Sequence, residues 1–263
     1  MITCNILGPS KIDGHYLAGL GNQMFTVATT LAMAIDNEDE AVFPDLHNRD
    51  WYGDYVDNIF RNLKTGNSKS FVQSTYREIN WKYNEIPYSK NLCLSGYFQS
   101  EKYFAHRRKE ILDSILGHMQ EKYADIFTRQ KLIGVHVRRG DYLTPTLSEF
   151  HHAQTVDYYH RAMSLFDEDS NFVFFSDDIE WCKQNFASID NTHFVEGETD
   201  VVDLYFMSIM EHNIIANSTF SWWGAWLNQN PNKIVIAPHK WYGPKNSHLE
   251  DNDIIPEHWR IVK

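Results

Sequence analysis

Cysteine is scarce in this chain: Cys4, Cys93 and Cys182 lie far apart and form no CxxC pair. That spacing suggests neither a disulfide framework nor a thiolate zinc site, and it points to a reducing compartment. No apolar run approaches the roughly 18 residues that cross a bilayer. The opening MITCNILG lacks the charged-then-apolar pattern of a signal peptide. The expectation is a cytoplasmic protein without an integral membrane segment, a peripheral membrane contact being left open. Repeats and low-complexity tracts are absent, as are a P-loop, a GxSxG elbow and an HExxH helix despite thirteen histidines. Positive charge is in deficit, 24 Lys and Arg against 35 Asp and Glu, for a formal net charge of −11. Such a chain is soluble and repelled by phosphate polymers, so nucleic acid is not an expected partner. A discrete phosphate site survives that argument, because a few arginines in a cleft act locally.

What is present is ordinary in bulk and patterned in detail. At 263 residues and 43% hydrophobic, the chain is long enough for one large domain or two modest ones. Aromatics reach 14%, with eight tryptophans; their flat faces suit sugar and base stacking, and core packing takes most of them. Residues 2–7 read as a strand, followed by the glycine-rich GHYLAGLGNQ and a helix over 23–35 whose apolar positions recur at three and four. Residues 41–43 read as a second strand stopped by Pro44, 45–87 as irregular, 92–96 as a strand, and Ile111 to Met119 as one face of a long helix. From 131 the pattern alternates regularly. Strands at 132–137, 172–175, 193–195, 213–217 and 233–238 are separated by helices over 156–166, 179–186, 200–211 and one starting near Thr219. This predicts a parallel, doubly wound α/β sheet whose ligand crevice lies at the carboxyl ends of its strands.

Three polar motifs fall at those strand ends. HVRRGDY sets His136, Arg138, Arg139 and Asp141 where the first of these strands runs out. Arginine offers a planar, permanently charged fork that matches phosphate bidentately; alternatively the two arginines pair with Asp141 or neighbouring acids. In SDD, Asp177 and Asp178 are placed to accept from a ribose hydroxyl or a guanine edge, or to cap the next helix. In NSTFSWWGAW, Asn217, Ser218 and Thr219 mark a helix start that serves as a plain N-cap, an anion site, or both. Nearer the N-terminus, GLGNQMF offers Gly21 for close backbone approach and Asn22 for phosphate or sugar hydroxyls, without the full GxGxxG spacing. Two Asp-x-Asp triplets, at 167–169 and 251–253, sit in polar runs and read as solvated loops rather than metal ligands.

Taken together and in order, GLGNQMF, HVRRGDY, FFSDD and NSTFSWWGAWLN resemble glycosyltransferase family 11, the α-1,2-fucosyltransferases, from Gly19 to about Pro238. The resemblance implies a GT-B-type α/β fold of two facing Rossmann-like halves with parallel sheets. Residues 1–125 would form a reduced, acceptor-side half and 126–263 the half that binds GDP-fucose. It also implies inverting transfer of L-fucose to the 2-hydroxyl of a terminal galactoside on an acceptor glycan, in surface-polysaccharide or glycan synthesis, with no cofactor and no metal. By the same resemblance Arg138 is the main diphosphate contact, and Asn22 approaches the donor from the other half. His136 and Asp141 would orient the arginines, with Asp141 the candidate base. The other readings are a fucosyltransferase of different linkage or acceptor, and a catalytically silent GDP-sugar-binding protein.

Overall fold

The computed structural model describes residues 1–6, 11–12, 15–16, 19–47, 55–123, 131–249 and 252–263. The chain divides into two compact units, Met1–Ala124 with Asn252–Pro256, and Asp125–Asp251 with Glu257–Lys263.

In the first unit β1 (Ile2–Cys4) leads to a short antiparallel pair, β2 (Lys11–Ile12) with β3 (His15–Tyr16), and then to α1 (Leu20–Asp36). β4 (Ser74–Arg77), β5 (Leu92–Ser95) and α2 (Arg108–Tyr123) follow. The strands form a parallel sheet in the order β1-β5-β4. Three sequence expectations are corrected here. α1 begins at Leu20 rather than Gln23, so Gly21 and Asn22 lie in its first turn and not in a loop before it. Residues 41–43 contribute one parallel bridge, Ile2 to Ala41, instead of a strand, because the Phe43 N–H turns away to the carbonyl of Lys64 and Pro44 opens a 3-10 turn. The irregular stretch contains β4, whose STYR alternates half-buried with exposed and carries no apolar run. Residue 7, the end of the expected first strand, and much of the glycine-rich run lie outside the described residues.

The second unit alternates as expected. β6 (Leu132–Val137), α3 (Val156–Met163), β7 (Asn171–Ser176), α4 (Ile179–Phe186) and β8 (Thr192–Phe194) come first. α5 (Asp200–Ser208), β9 (His212–Ile214), α6 (Thr219–Leu227), β10 (Val235–Pro238) and β11 (Arg260–Val262) complete it. All neighbouring strands are parallel, in the order β11-β10-β9-β6-β7-β8. The chain therefore winds outward from β6 through β7 to β8, returns to the other side of β6, and winds through β9 and β10 to β11. β11 is the strand the sequence did not announce, since RIV is too short to carry a period.

Each face of β6 is covered, which is why LIGVHV is nearly all buried rather than alternating. Val135, Phe174, Tyr159 and Phe186 pack in the shared core, and each buried side chain of this size contributes about 1.5–3 kcal/mol. α6 lies against α5 with Trp222 and Trp223 fully buried. At its end the Lys233 Nζ donates to the carbonyls of Ala225 (2.6 Å) and Asn228 (2.7 Å), satisfying groups that a helix C-terminus leaves open.

The α5–α6 approach depends on Gly224. A Cβ there would come within 2.8 Å of the Met207 Cβ and 2.7 Å of its Cε. Gly224→Ala is therefore expected to destabilise the protein by about 1–3 kcal/mol through overpacking, read as a lowered urea midpoint. An unchanged midpoint would contradict the close packing.

Candidate functional site

Between β6 and β9 the winding direction reverses, and in open parallel sheets ligands bind at the carboxyl ends of the strands beside such a reversal. HVRRGDY leaves the sheet at the end of β6, and NST follows β9. Because β6 and β7 run in register to Val137 opposite Ser176, the arginines after β6 emerge beside the aspartates after β7.

Arg138 makes two ion pairs, Nη2 to Asp141 Oδ1 at 2.8 Å and Nη1 to Asp177 Oδ2 at 3.1 Å, while a third of its side chain stays accessible. Burial alone would lower the Arg138 pKa; the Asp177 and Asp141 carboxylates outweigh it and raise the value. Arg139 turns the other way, its Nε pairing with Asp178 Oδ2 at 3.1 Å and its guanidinium lying 4.0 Å from the centre of the Trp181 ring. Its backbone N–H donates to Asp177 Oδ1 at 2.9 Å. Asp177 thus grips both arginines, and it can come this close only because residue 140 is glycine. A Cβ on Gly140 would sit 2.5 Å from Asp177 Oδ2. Asp178 accepts from the Trp181 N–H at 3.3 Å and so caps α4, the plainer of the two readings for that residue.

His136, one residue before the end of β6, is buried, and its ring lies 5.4 Å from that of Phe220. Burial, with the charge of Arg138 added, pushes its pKa down to about 3. It is a neutral imidazole and a very weak base. Tyr142 joins the two loops by donating to the Asn217 carbonyl at 3.1 Å. The Asn217 amide is itself engaged: Nδ2 donates to the Trp241 carbonyl at 2.7 Å, and Oδ1 accepts from Gln154 at 3.0 Å. Its side chain ties loops together beneath the strand ends. Ser218 is the N-cap residue of α6 without a side-chain cap bond, whereas Thr155, Asp178 and Thr199 cap α3, α4 and α5.

The structure therefore brings His136, Arg138, Arg139, Asp141, Asp177 and Asp178 into one cluster, with Asn217 and Ser218 on the adjoining loop and Thr219 opening α6. Gly21 and Asn22 belong to the first unit. There Asn22 Oδ1 accepts from Gln99 Nε2 at 2.9 Å. Sequence reasoning missed Trp181, Gln154 and His151. The His151 ring stacks on Tyr142 at 4.4 Å and 8°, and burial lowers its pKa while Asp141 offsets part of the effect. A histidine in FHHAQ carries no spacing signal that would single it out. Of the acidic triplets, Asp167 and Asp169 pair with Lys131, and Asp253 pairs with Lys102 and accepts from the Tyr83 N–H; Asp251 lies outside the described residues. Among the described residues no helix is long and apolar enough to cross a membrane.

The model of glycosyl transferase family 11 matches residues 16–263. The chain belongs to glycosyltransferase family 11. Within the family, an α-1,2-colitosyltransferase of Escherichia coli is 33% identical over 97% of this chain and 100% of its own length. A galactoside α-(1,2)-fucosyltransferase 2 of Pongo pygmaeus is 29% identical over 86% of this chain and 72% of that one. Among solved structures, NodZ α-1,6-fucosyltransferase soaked with GDP-fucose matches with a TM-score of 0.51 at 16% identity, covering 86% of this chain and 92% of that one. The family 11 chain thus has the α/β, GT-B-type fold expected of it, and it is a glycosyltransferase.

The buried imidazole gives this family 11 site a pH signature. The unfolded His136 takes up a proton below its ordinary 6.5, whereas the folded one resists until about 3. The unfolded state binds more protons in that window, so stability falls as pH drops through it. Between pH 7 and 5, wild type should lose about 2 kcal/mol more than His136→Gln. Urea melts at the two pH values read this; equal losses would show that His136 is not held neutral.

Proposed function

We propose that the protein transfers L-fucose from GDP-fucose to the 2-hydroxyl of a terminal galactoside, with inversion at the anomeric carbon and without a divalent metal. The observation that carries this reading is the accessible fork of Arg138 at the reversal point of a six-stranded parallel sheet, beside an α6 N-terminus whose Ser218 makes no side-chain cap bond. Two guanidinium charges face three carboxylates, so the cluster has no surplus of positive charge when empty. A diphosphate would bind by exchange. Its oxygens take the place of Asp141 on Arg138, and each charge-assisted hydrogen bond so formed is worth roughly 1.5–3 kcal/mol, less where solvent screens it. First-turn amides of α6 near Ser218 and Thr219 add donors for the same anion.

In the chemical step the bond from the fucosyl anomeric carbon to the phosphate oxygen breaks and a bond to the acceptor oxygen forms. GDP leaves with an added negative charge, which Arg138 stabilises in the role a metal plays in other transferases. The acceptor proton goes to Asp141, released by the exchange, rather than to His136, which is buried. Asp177, itself accepting from the Arg139 backbone N–H, holds Arg138 in place. The name of the Pongo pygmaeus relative supports the fucosyl group, the linkage and the galactoside acceptor.

A second reading follows from the Escherichia coli relative: a colitosyl donor used at the same linkage. Comparing kcat/KM for the two donors on one galactoside separates them, and the first reading requires fucose to be preferred.

The proposal is tested with chelator-stripped protein, GDP-fucose and a lactose-type acceptor. Wild type should turn over, and Arg138→Lys, which keeps the charge but loses the planar fork, should stay folded and lose at least about tenfold in kcat. Activity that returns only on adding a divalent ion, or near-normal turnover by folded Arg138→Lys, would sink it.

A further inference from the structure

The carboxyl ends of the first unit's strands carry a second concentration of chemistry. β4 and β5 are parallel and in register, Arg77 opposite Ser95, so the segments that follow them, beginning at Glu78 and Gly96, emerge side by side. Trp81 lies against Tyr97 with ring centres 5.3 Å apart and planes 20° apart. Tyr83 leans on Tyr103 at 4.9 Å and remains 42% exposed, and Ile79 is 71% exposed. These side chains make an apolar, aromatic surface on an acidic protein, at the edge of a parallel sheet where ligands bind.

That surface is held in place at some cost. Glu78 is half-buried, and its two oxygens accept from the backbone N–H groups of Tyr97 (2.7 Å) and Phe98 (3.0 Å). Burial raises the Glu78 pKa, while those two bonds pull the other way. Gly96 makes the approach feasible, since a Cβ there would lie 2.4 Å from the Glu78 Cβ. Phe98 adopts φ +51°, a left-handed conformation that a bulky residue rarely takes. Such strain persists where the surroundings over-determine it, and it gathers at ligand sites. The next residue, Gln99, holds Asn22 through its amide. One clamped turn therefore fixes both the aromatic surface and the GLGNQ helix start.

We propose that Trp81, Tyr97 and Tyr83 form the shelf on which the sugar acceptor docks, its apolar C–H face against the rings. This rests on the reading of the chain as a transferase acting on a galactoside. A glycan suits the surface for three reasons. The rings offer amphipathic faces at low entropic cost; Asn80 and Asn84, bonded to each other at 2.9 Å beside the charged Lys82, offer neutral amides; and Tyr97 stands two residues before Gln99, which donates to Asn22. A shelf of this kind sets acceptor affinity and leaves donor binding alone.

The test is steady-state transfer from GDP-fucose to lactose by wild type, Trp81→Ala, Tyr97→Ala, Trp81→Phe and Tyr97→Phe. Each alanine variant should raise the lactose KM by about five- to tenfold with the GDP-fucose KM unchanged, and each phenylalanine variant should restore most of the affinity because the ring face is kept. An unchanged lactose KM in folded alanine variants, or a parallel rise in both KM values, overturns the shelf. Absence of transfer by wild type to any galactoside would sink the galactoside reading itself, a result distinct from failure of the shelf alone.

Discussion

Two guanidinium ions at the end of one buried strand need carboxylates, and the arrangement of the second unit follows from supplying them. β6 is buried on both faces, so its charges can only emerge where it ends. There Asp141 from its own loop and Asp177 from the end of β7 hold Arg138, and Asp178 with the Trp181 ring holds Arg139. The parallel register of β6 and β7 makes this meeting automatic. Tyr142 then ties the cluster to the loop after β9 through the Asn217 carbonyl, so three strand ends are linked.

The same charges set the chemistry of their neighbours. His136 is kept neutral by burial and by Arg138, and Asp141 is the carboxylate of the same loop that pairs with the fork. A cluster whose acids outnumber its bases does not attract phosphate by net charge. It binds by geometry, exchanging one carboxylate for another anion at the same donors, and that exchange would tie proton acceptance to donor binding. The overall charge of −11 is compatible with such a site, because nothing in it depends on long-range attraction.

Much of this was legible in the sequence, and the reasons are specific. LIGVHV and NFVFFS are apolar runs too short for helices and flanked by polar turns, which identifies buried parallel strands. The order of HVRRGDY, SDD and NST along the alternation places them at strand ends. β4 was illegible because STYR is polar on both faces, and β11 because three residues show no period. The start of α1 was misplaced because Gly21 and Asn22 suggest a turn, whereas tertiary packing buries Leu20 and Gly21 as helix. Pairing could not be read at all. Whether Arg138 faces an acid or solvent depends on the register between β6 and β7, and whether Asp178 caps or recognises depends on where α4 starts. The tilt that sets Trp181 under Arg139 and His151 on Tyr142 is likewise a property of three dimensions.

The central claim is that the Arg138 fork is the diphosphate site and that it binds by displacing Asp141. A crystal structure of the protein with GDP tests it most directly. The account predicts phosphate oxygens within hydrogen-bonding distance of the Arg138 guanidinium, with the Arg138–Asp141 ion pair opened and the Asp177 contact kept. A diphosphate bound elsewhere, with Arg138 still held by both Asp141 and Asp177, would contradict it.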